Sequence, residues 1–389
     1  MKNIRKQRIG IVGCGVISEI YLTNMTSIFS EILEPYVCAD IDPNAAQLRA
    51  KQFGIKPAAN VDELLSDPMV DIVLNLTVPA AHAEISKKAL LAGKHSYSEK
   101  PIAINMKDGE ELLFLAEKNG LFIGAAPDTF LGGGLQTCRK LLDDGVIGSP
   151  VFATGNMLSC GPEVFHPHAE FFYEVGAGPL LDMGPYYITA LVFLFGPVRR
   201  VSGMSKITAA TRKKRLSGEE FPCYVDTFIS GSLEFQSGFS ANITTSWDMP
   251  FPYWQSTLPL IGVFGSEGIM VLPDPNTFCG FSEEPMTKIG NYINVRSGSG
   301  EFTDVPVEYG YINNCRGLGL ADMALSIQSG SQPRVNGALS LHVLEIMLGI
   351  LESSKTGKSY AIKNTCRKPA PLYHDDLIIC EETSLKNEK

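Results

Sequence analysis

The chain has 389 residues, more than one compact core usually holds, so two domains are expected. Its 44% hydrophobic and 19% charged residues are those of an ordinary globular protein and exclude the disordered and fibrous classes. A formal net charge of -9 speaks against a nucleic-acid partner, because phosphate binding needs clustered Lys and Arg. The one basic run, Arg212-Lys213-Lys214-Arg215, lies among Ser, Gly and Glu and reads as a solvated loop. Nine cysteines are spread singly, without a Cys-x-x-Cys pair or metal-ligand spacing, which suggests reduced thiols in a reducing compartment. Lys2, Arg5, Lys6 and Arg8 precede an apolar stretch, but Gly13 and Gly15 break it and no cleavage site follows. No segment approaches the ~20 apolar residues of a membrane span. A cytoplasmic protein without a membrane partner is expected.

Through Ala125, strand and helix signals alternate. Residues 8–12 read as a buried strand, 17–29 as a helix, and Tyr36 to Ala39 as a second strand ending at Asp40. Asp42-Pro43 then starts a helix, and Asp71 to Thr77 is a continuous apolar run, as in a parallel strand covered on both faces. A helix from Ala81 to Ala92 closes at Gly93, a strand lies around Ser96, a helix runs from Lys107 to Lys118, and Leu121 to Ala125 is a strand. This alternation predicts a doubly wound parallel sheet. After Pro127 the pattern changes. A helix over 135–144 precedes strands at Val151 to Ser159, Val225 to Phe235, Gly238 to Trp247, Leu258 to Phe264 and Ile269 to Leu272. Most have no helix between them, so a large, mostly antiparallel sheet is expected, with apolar helices at Leu181 to Phe195 and Ala338 to Ser354 on one face. The predicted division is a dinucleotide-binding α/β domain at 1–127, an α+β domain for substrate binding and oligomerisation at 128–366, and a loosely held tail at 367–389.

Gly13-Cys14-Gly15-Val16-Ile17-Ser18 follows the first strand and opens the first helix, the context a dinucleotide fingerprint requires. The first Gly permits the tight turn, the second lets backbone approach a pyrophosphate, and Ser18 replaces the third. Its hydroxyl either caps the helix or reaches a phosphate oxygen. Gly13, Gly15, Val16 and Ile17 are the candidate cofactor-binding residues of the turn. Glu31 and Glu34 better match the usual count to a ribose-binding acid but precede the second strand, whereas Asp40 stands at its tip. A carboxylate there accepts ribose hydroxyls and repels a 2′-phosphate, which favours NAD over NADP. Asp42 is the better candidate for the following helix cap.

At Gly93-Lys94-His95 and Glu99-Lys100-Pro101 the chain resembles the Gfo/Idh/MocA family of sugar and polyol dehydrogenases. The likeness continues through Thr77, His82, Gly132-Gly133-Gly134, Asp182-Met183-Gly184, Phe264-Gly265-Ser266-Glu267-Gly268 and the His342 to Gly357 helix. The resemblance implies a Rossmann half and an open-sheet half. It also implies that Thr77, His82, Glu99 and Lys100 line the cofactor, with Lys100 reaching the substrate hydroxyl. Pro79 stands where many relatives carry Asn.

Alcohol oxidation needs a hydride facing the nicotinamide and an acceptor for the hydroxyl proton. The Lys100 charge would stabilise a developing alkoxide at the carboxyl edge of the sheet. Helical spacing puts Asp182, Tyr186 and Thr189 on one face, where many relatives have Asp, an acid/base His, and Asp or Asn. Here Tyr186 replaces the His. A free phenol titrates near ~10, and a neighbouring ammonium lowers it. Lys100, Tyr186 and Asp182 are therefore the expected catalytic residues, and His166, His168, Tyr187 and Thr189 the expected substrate contacts. His166 or His168 is the alternative base. A metal at the His-x-His pair lacks further ligands. Trp247, Asp248, Tyr253 and Trp254 suit a sugar face, an interface or a core corner equally. The expected activity is NAD-dependent dehydrogenation of a sugar, inositol or polyol by a homodimer or homotetramer. The alternatives are an NAD-using glycosidase and a non-catalytic NAD- and sugar-sensing regulator.

Overall fold

The computed structural model describes residues 5–215, 217–252, 255, 258, 260–280 and 292–372. They form two compact units. One comprises the residues up to Leu131 together with Asn314–Leu341 and Leu372, and the other comprises Gly132–Asn313 and His342–Pro371.

The first unit alternates strand and helix: β1 (Gln7–Val12), α1 (Val16–Thr26), β2 (Leu33–Ala39), α2 (Pro43–Phe53), β3 (Lys56–Pro57), α3 (Val61–Ser66), β4 (Ile72–Asn75), α4 (Pro79–Leu91), β5 (His95–Ser98), α5 (Met106–Lys118) and β6 (Ile123–Ala125). All pairs are parallel, in the order β3-β2-β1-β4-β5-β6. Every residue of β4 is buried, as its unbroken apolar run requires under helices on both faces. Local chemistry sets the helix starts. The side chains of Asp42, Asn60 and Asn105 accept backbone N–H groups at the heads of α2, α3 and α5. Helix α1 ends at Thr26, short of the expected residue 29, where Thr26 and Ser27 hydroxyls donate back to carbonyls of the last turn.

The second unit begins with α6 (Gly133–Asp143). It continues with β7 (Pro150–Leu158), α7 (Pro179–Phe195), β8 (Val198–Lys206), β9 (Thr211–Lys213), β10 (Glu220–Pro222), β11 (Phe228–Phe235), β12 (Ser240–Ser246), β13 (Ile261–Gly265), β14 (Gly268–Leu272), β15 (Tyr292–Ser297) and β16 (Thr303–Pro306). After α8 (Leu318–Ser329) and α9 (Gly337–Thr356), β17 (Tyr360–Ala361) closes the edge of a nine-stranded sheet ordered β16-β15-β14-β13-β7-β12-β11-β8-β17. The sheet is antiparallel except for the parallel pair β7 and β12. Helices α7 and α9 cover one face, with Ile350 seated against Gly203 and Gly231.

Three expectations need correction. The segment Asn314–Leu341 groups with the first unit, although it falls within 128–366. The buried Asp128 carboxylate accepts the N–H groups of Gly317 and Gly319, and the Asn24 amide donates to the carbonyls of Asn314 and Arg316. The start of the expected tail is packed: Pro369 is buried and its carbonyl accepts Arg139 at 3.4 Å, while 373–389 lie outside the described residues. Finally, α9 is long and apolar enough, by length and composition, to cross a membrane, and 67% of its most apolar window is buried within the fold.

Candidate functional site

The parallel register lines up one row of residues at the carboxyl ends of the strands. Ala39 pairs with Val12, Val12 with Asn75, Asn75 with Ser98, and Ser98 with Ala125. Asp40, Gly13, Thr77, Glu99 and Lys100 follow within one or two residues of that row. Strand order reverses between β1 and β4, where a doubly wound sheet opens a crevice for ligands.

The two glycines differ in what requires them. Gly13 has φ +99°, and a Cβ there would fall 2.6 Å from the Leu76 carbonyl oxygen, so the protein itself demands glycine. Gly15 has an ordinary φ of -69°, and a Cβ there would meet nothing within 4 Å. Its openness suits the approach of a ligand. Gly15 also heads α1 without a side-chain cap, leaving the positive helix end available to a phosphate. The Ser18 hydroxyl is buried and donates to the Gly15 carbonyl at 2.6 Å, which assigns it to the turn.

Asp40 accepts Cys14 N at 2.6 Å and Asp42 N at 2.9 Å, while Asp42 caps α2 through Asn44 N. Val16 is 92% exposed, as are Ile41 (101%) and Val78 (62%), each directly after or near a strand end. Such aliphatics at one sheet edge suit the faces of an adenine or nicotinamide ring. Sequence reasoning missed Ile41 and Val78, although both directly follow residues singled out at strand ends. Ile17, half-buried in the first turn of α1, completes the fingerprint.

Beyond β4, the Thr77 hydroxyl donates to Asn75 Oδ1 at 2.7 Å. The resemblance puts His82 among residues lining the cofactor, yet its ring is 1% exposed. Its Nδ1 lies 2.7 Å from the Pro101 carbonyl and its Nε2 lies 3.0 Å from the Thr77 carbonyl. Burial holds its pKa below the ordinary value, while the two carbonyls pull the other way. His82 thus braces the segments after β4 and β5. Glu99 accepts the Tyr21 hydroxyl at 2.9 Å and Lys100 N at 3.1 Å, fixing the backbone that carries the half-buried Lys100.

In the second unit, Gly178 (φ +94°) and Pro179 start α7, and Asp182 N donates to the Gly178 carbonyl. Asp182 is half-buried and Tyr186 is 8% exposed. Tyr187 is fully buried over Gly155 and Thr189 is 2% exposed, so both occupy packing positions. The upstream loop carries half-buried His166 and exposed His168. His166 Nδ1 accepts His168 N at 3.1 Å, which places the proton of the neutral ring on Nε2 and presents it as a donor. Proton abstraction by that nitrogen would require the other tautomer.

The basic run is a solvated loop only in part, since Lys213 and Arg215 are exposed and the other two residues are not. Arg212 and Lys214 side chains are 10% and 11% exposed. Arg212 pairs with Glu163 at 2.8 Å and Asp248 at 2.7 Å, donates to the Trp247 carbonyl and stacks on Tyr173, whose hydroxyl donates to Glu163. Charges that look solvated in the chain find partners far along it. Trp247 is buried against Phe172 and Tyr173 and is a core corner, while Tyr253 and Trp254 lie outside the described residues. Among the described residues no group of three or more His, Cys, Asp or Glu converges on a metal position.

The family model described as the oxidoreductase family with an NAD-binding Rossmann fold matches residues 7–126, and the GFO/IDH/MocA C-terminal domain matches residues 135–271. The D-xylose dehydrogenase of Paenarthrobacter nicotinovorans is 26% identical over 227 residues, 55% of this chain and 58% of that protein, so less than two thirds of that relative is spanned. The dTDP-3,4-didehydro-2,6-dideoxy-alpha-D-glucose 3-reductase of Streptomyces violaceoruber is 30% identical over 249 residues, 63% and 70% of the two chains. Levoglucosan dehydrogenase in complex with NADH and L-sorbose shares the fold, with a TM-score of 0.78 at 18% identity over 93% of this chain and 100% of that one. The chain belongs to the Gfo/Idh/MocA family of oxidoreductases, with an N-terminal NAD-binding Rossmann fold.

Proposed function

We propose that the chain is an NAD-dependent dehydrogenase acting on a secondary alcohol carbon of a sugar, inositol or related polyol. One observation carries the reading: the open glycine turn, Asp40 and Lys100 stand along one register row at the carboxyl edge of one sheet. The names of relatives that act on xylose, anhydrofructose and inositol support the substrate class. Bound nicotinamide supplies the hydride acceptor or donor. Gly13 and Gly15 bring backbone to the pyrophosphate, with Val16 and Ile17 at the helix head. Asp40 takes the ribose hydroxyls and disfavours a 2′-phosphate, so NAD is preferred over NADP. Thr77 and Glu99 shape the ring site, and Lys100 stabilises the alkoxide.

Tyr186 moves the proton and Asp182 orients the substrate. The Nε2–H tautomer of His166 supports this assignment, since it makes His166 a donor to substrate oxygen. Following NADH absorbance with a panel of sugars and polyols tests the reading. NADH formation on a polyol that Tyr186→Phe slows at least ~100-fold, the usual scale of acid–base catalysis, supports it. NAD consumption without net NADH indicates a glycosidase, binding without turnover indicates a sensor, and full turnover by Tyr186→Phe removes Tyr186 from the proposal.

A further inference from the structure

Two side chains donate to a single carbonyl of the glycine turn, that of Gly15. The buried Ser18 hydroxyl, standing where the fingerprint carries its third glycine, lies 2.6 Å from it, and the Ser18 backbone N–H adds a contact at 3.2 Å. From α2, Arg49 Nη2 reaches the same oxygen at 3.2 Å across 34 residues of chain. The Arg49 side chain is 12% exposed and is itself fixed. Its Nη1 donates to Gln52 Oε1 at 2.7 Å and lies 3.2 Å from Glu19 Oε2, while Gln52 donates to the other Glu19 oxygen at 3.1 Å. Glu19, on α1, offsets the Arg49 charge, so what Arg49 gives the turn is a direction more than a potential. Asp40 grips the same turn by the Cys14 N–H, and Arg49 grips it by a carbonyl.

We propose that Arg49 and Ser18 are positioning residues of the dinucleotide site, which hold the Gly15 carbonyl so that the Val16 N–H faces a cofactor phosphate. The peptide bond is planar and trans, so the C=O of Gly15 and the N–H of Val16 point in opposite directions. Anchoring the oxygen toward α1 and α2 sends the N–H out of the N-terminal end of α1, where the first amides of a helix have no intrahelical partner. Gly15 does not hold this plane by itself, since glycine has the widest backbone freedom and a Cβ there would meet nothing within 4 Å. The two donors oppose the rotation that would turn the carbonyl, a negative dipole end, toward the phosphate. This role rests on the reading of the turn as the pyrophosphate site. It places one determinant of cofactor affinity on α2, outside the glycine fingerprint.

The test titrates NADH, ADP-ribose and adenosine into the full chain by calorimetry, beside thermal melts. Adenosine carries no phosphate and reads the rest of the site. Arg49→Met keeps an unbranched stem and should weaken NADH and ADP-ribose by about tenfold, the scale of one lost hydrogen bond from a charged group. Its affinity for adenosine should stay unchanged. Ser18→Ala removes the second donor without touching any charge, and should weaken the same two ligands by about threefold or more, the scale of a neutral hydrogen bond. If Arg49→Met does not fold, Ser18→Ala decides the question through the same oxygen. Unchanged NADH affinity in either folded variant, or an equal loss for adenosine, overturns the proposal. Wild type that takes adenosine but neither NADH nor ADP-ribose removes the pyrophosphate from the turn, and the proposal falls with the cofactor reading and not through Arg49.

Discussion

The Asp40 carboxylate receives the backbone N–H of Cys14 at 2.6 Å, tying the tip of the second strand to the middle of the glycine turn. In the proposed site Asp40 therefore shapes the pyrophosphate cradle as well as offering oxygens to a ribose. Asp40→Ala should weaken NADH binding by about ten- to a hundredfold, the range for losing hydrogen bonds to a charged group. It should also narrow the proposed preference for NADH over NADPH, because the repelling charge is gone. Parallel titrations with the two cofactors measure both effects. An unchanged NADH affinity would remove Asp40 from the site.

The glycine pair should separate folding from binding. Gly13→Ala forces a Cβ onto the Leu76 carbonyl at a positive φ, so it should lower the melting temperature and abolish NADH binding together. Gly15→Ala meets no protein atom and should leave the melting temperature of the apoprotein unchanged while weakening NADH binding. Thermal melts beside cofactor titrations distinguish the two.

Arg212 should matter to stability far more than its place in a basic run suggests. Arg212→Met leaves Glu163 and Asp248 without their shared cation, and both side chains are nearly buried (10% and 13% exposed). Removing one partner of a buried ion pair costs ~3–5 kcal/mol. Urea denaturation should show a loss of that order, and a loss under ~1 kcal/mol would place the cluster with exposed ion pairs.

Asp128 makes stability pH-dependent. Its fully buried carboxyl is raised from 3.8 to about 6, with desolvation the main cause and the Gly319 and Gly317 N–H groups opposing it. A raised folded-state pKa means that the native state holds the proton longer than the unfolded state. Its contribution is complete below about pH 4 and is lost as pH rises through about 6, an effect of ~3 kcal/mol for a shift of ~2 units. Asp128→Asn removes this titration. Between pH 4.5 and 7.5 the variant should gain stability relative to wild type, as read from denaturation midpoints. Parallel pH profiles would contradict the assignment.

The first unit was legible because β4 is an unbroken apolar run and α2 starts at Asp42-Pro43, whereas the short α3 capped by Asn60 gave no such signal. Strand β8 was hidden, since Arg199 and Arg200 lie along it and meet Glu234 on the exposed side of the sheet. Helix α8 was hidden for the opposite reason. Most of Leu318 to Ser326 is buried, so no apolar stripe marks it. Gly13, Asp40 and Lys100 carry local signals of turn, strand end and motif. The brace through His82 and the cation between Glu163 and Asp248 depend on contacts distant in the chain, and residue spacing does not encode them.

The return of Asn314–Leu341 to the first unit has a consequence for how the protein is made. Gly124, on the edge strand β6, lies so close to the Val335 carbonyl that a Cβ would stand 2.4 Å from it, and Ile123 packs on Gly337. A nascent chain released only as far as Leu131 lacks the backbone amides that serve Asp128 and the segment that covers β6. The dinucleotide-binding unit cannot be completed until residues beyond β16, the eighth of the nine sheet strands in chain order, have emerged. Truncation after the Rossmann strands is therefore expected to yield an insoluble fragment, and the shortest autonomous version of this unit must splice 314–341 back onto it.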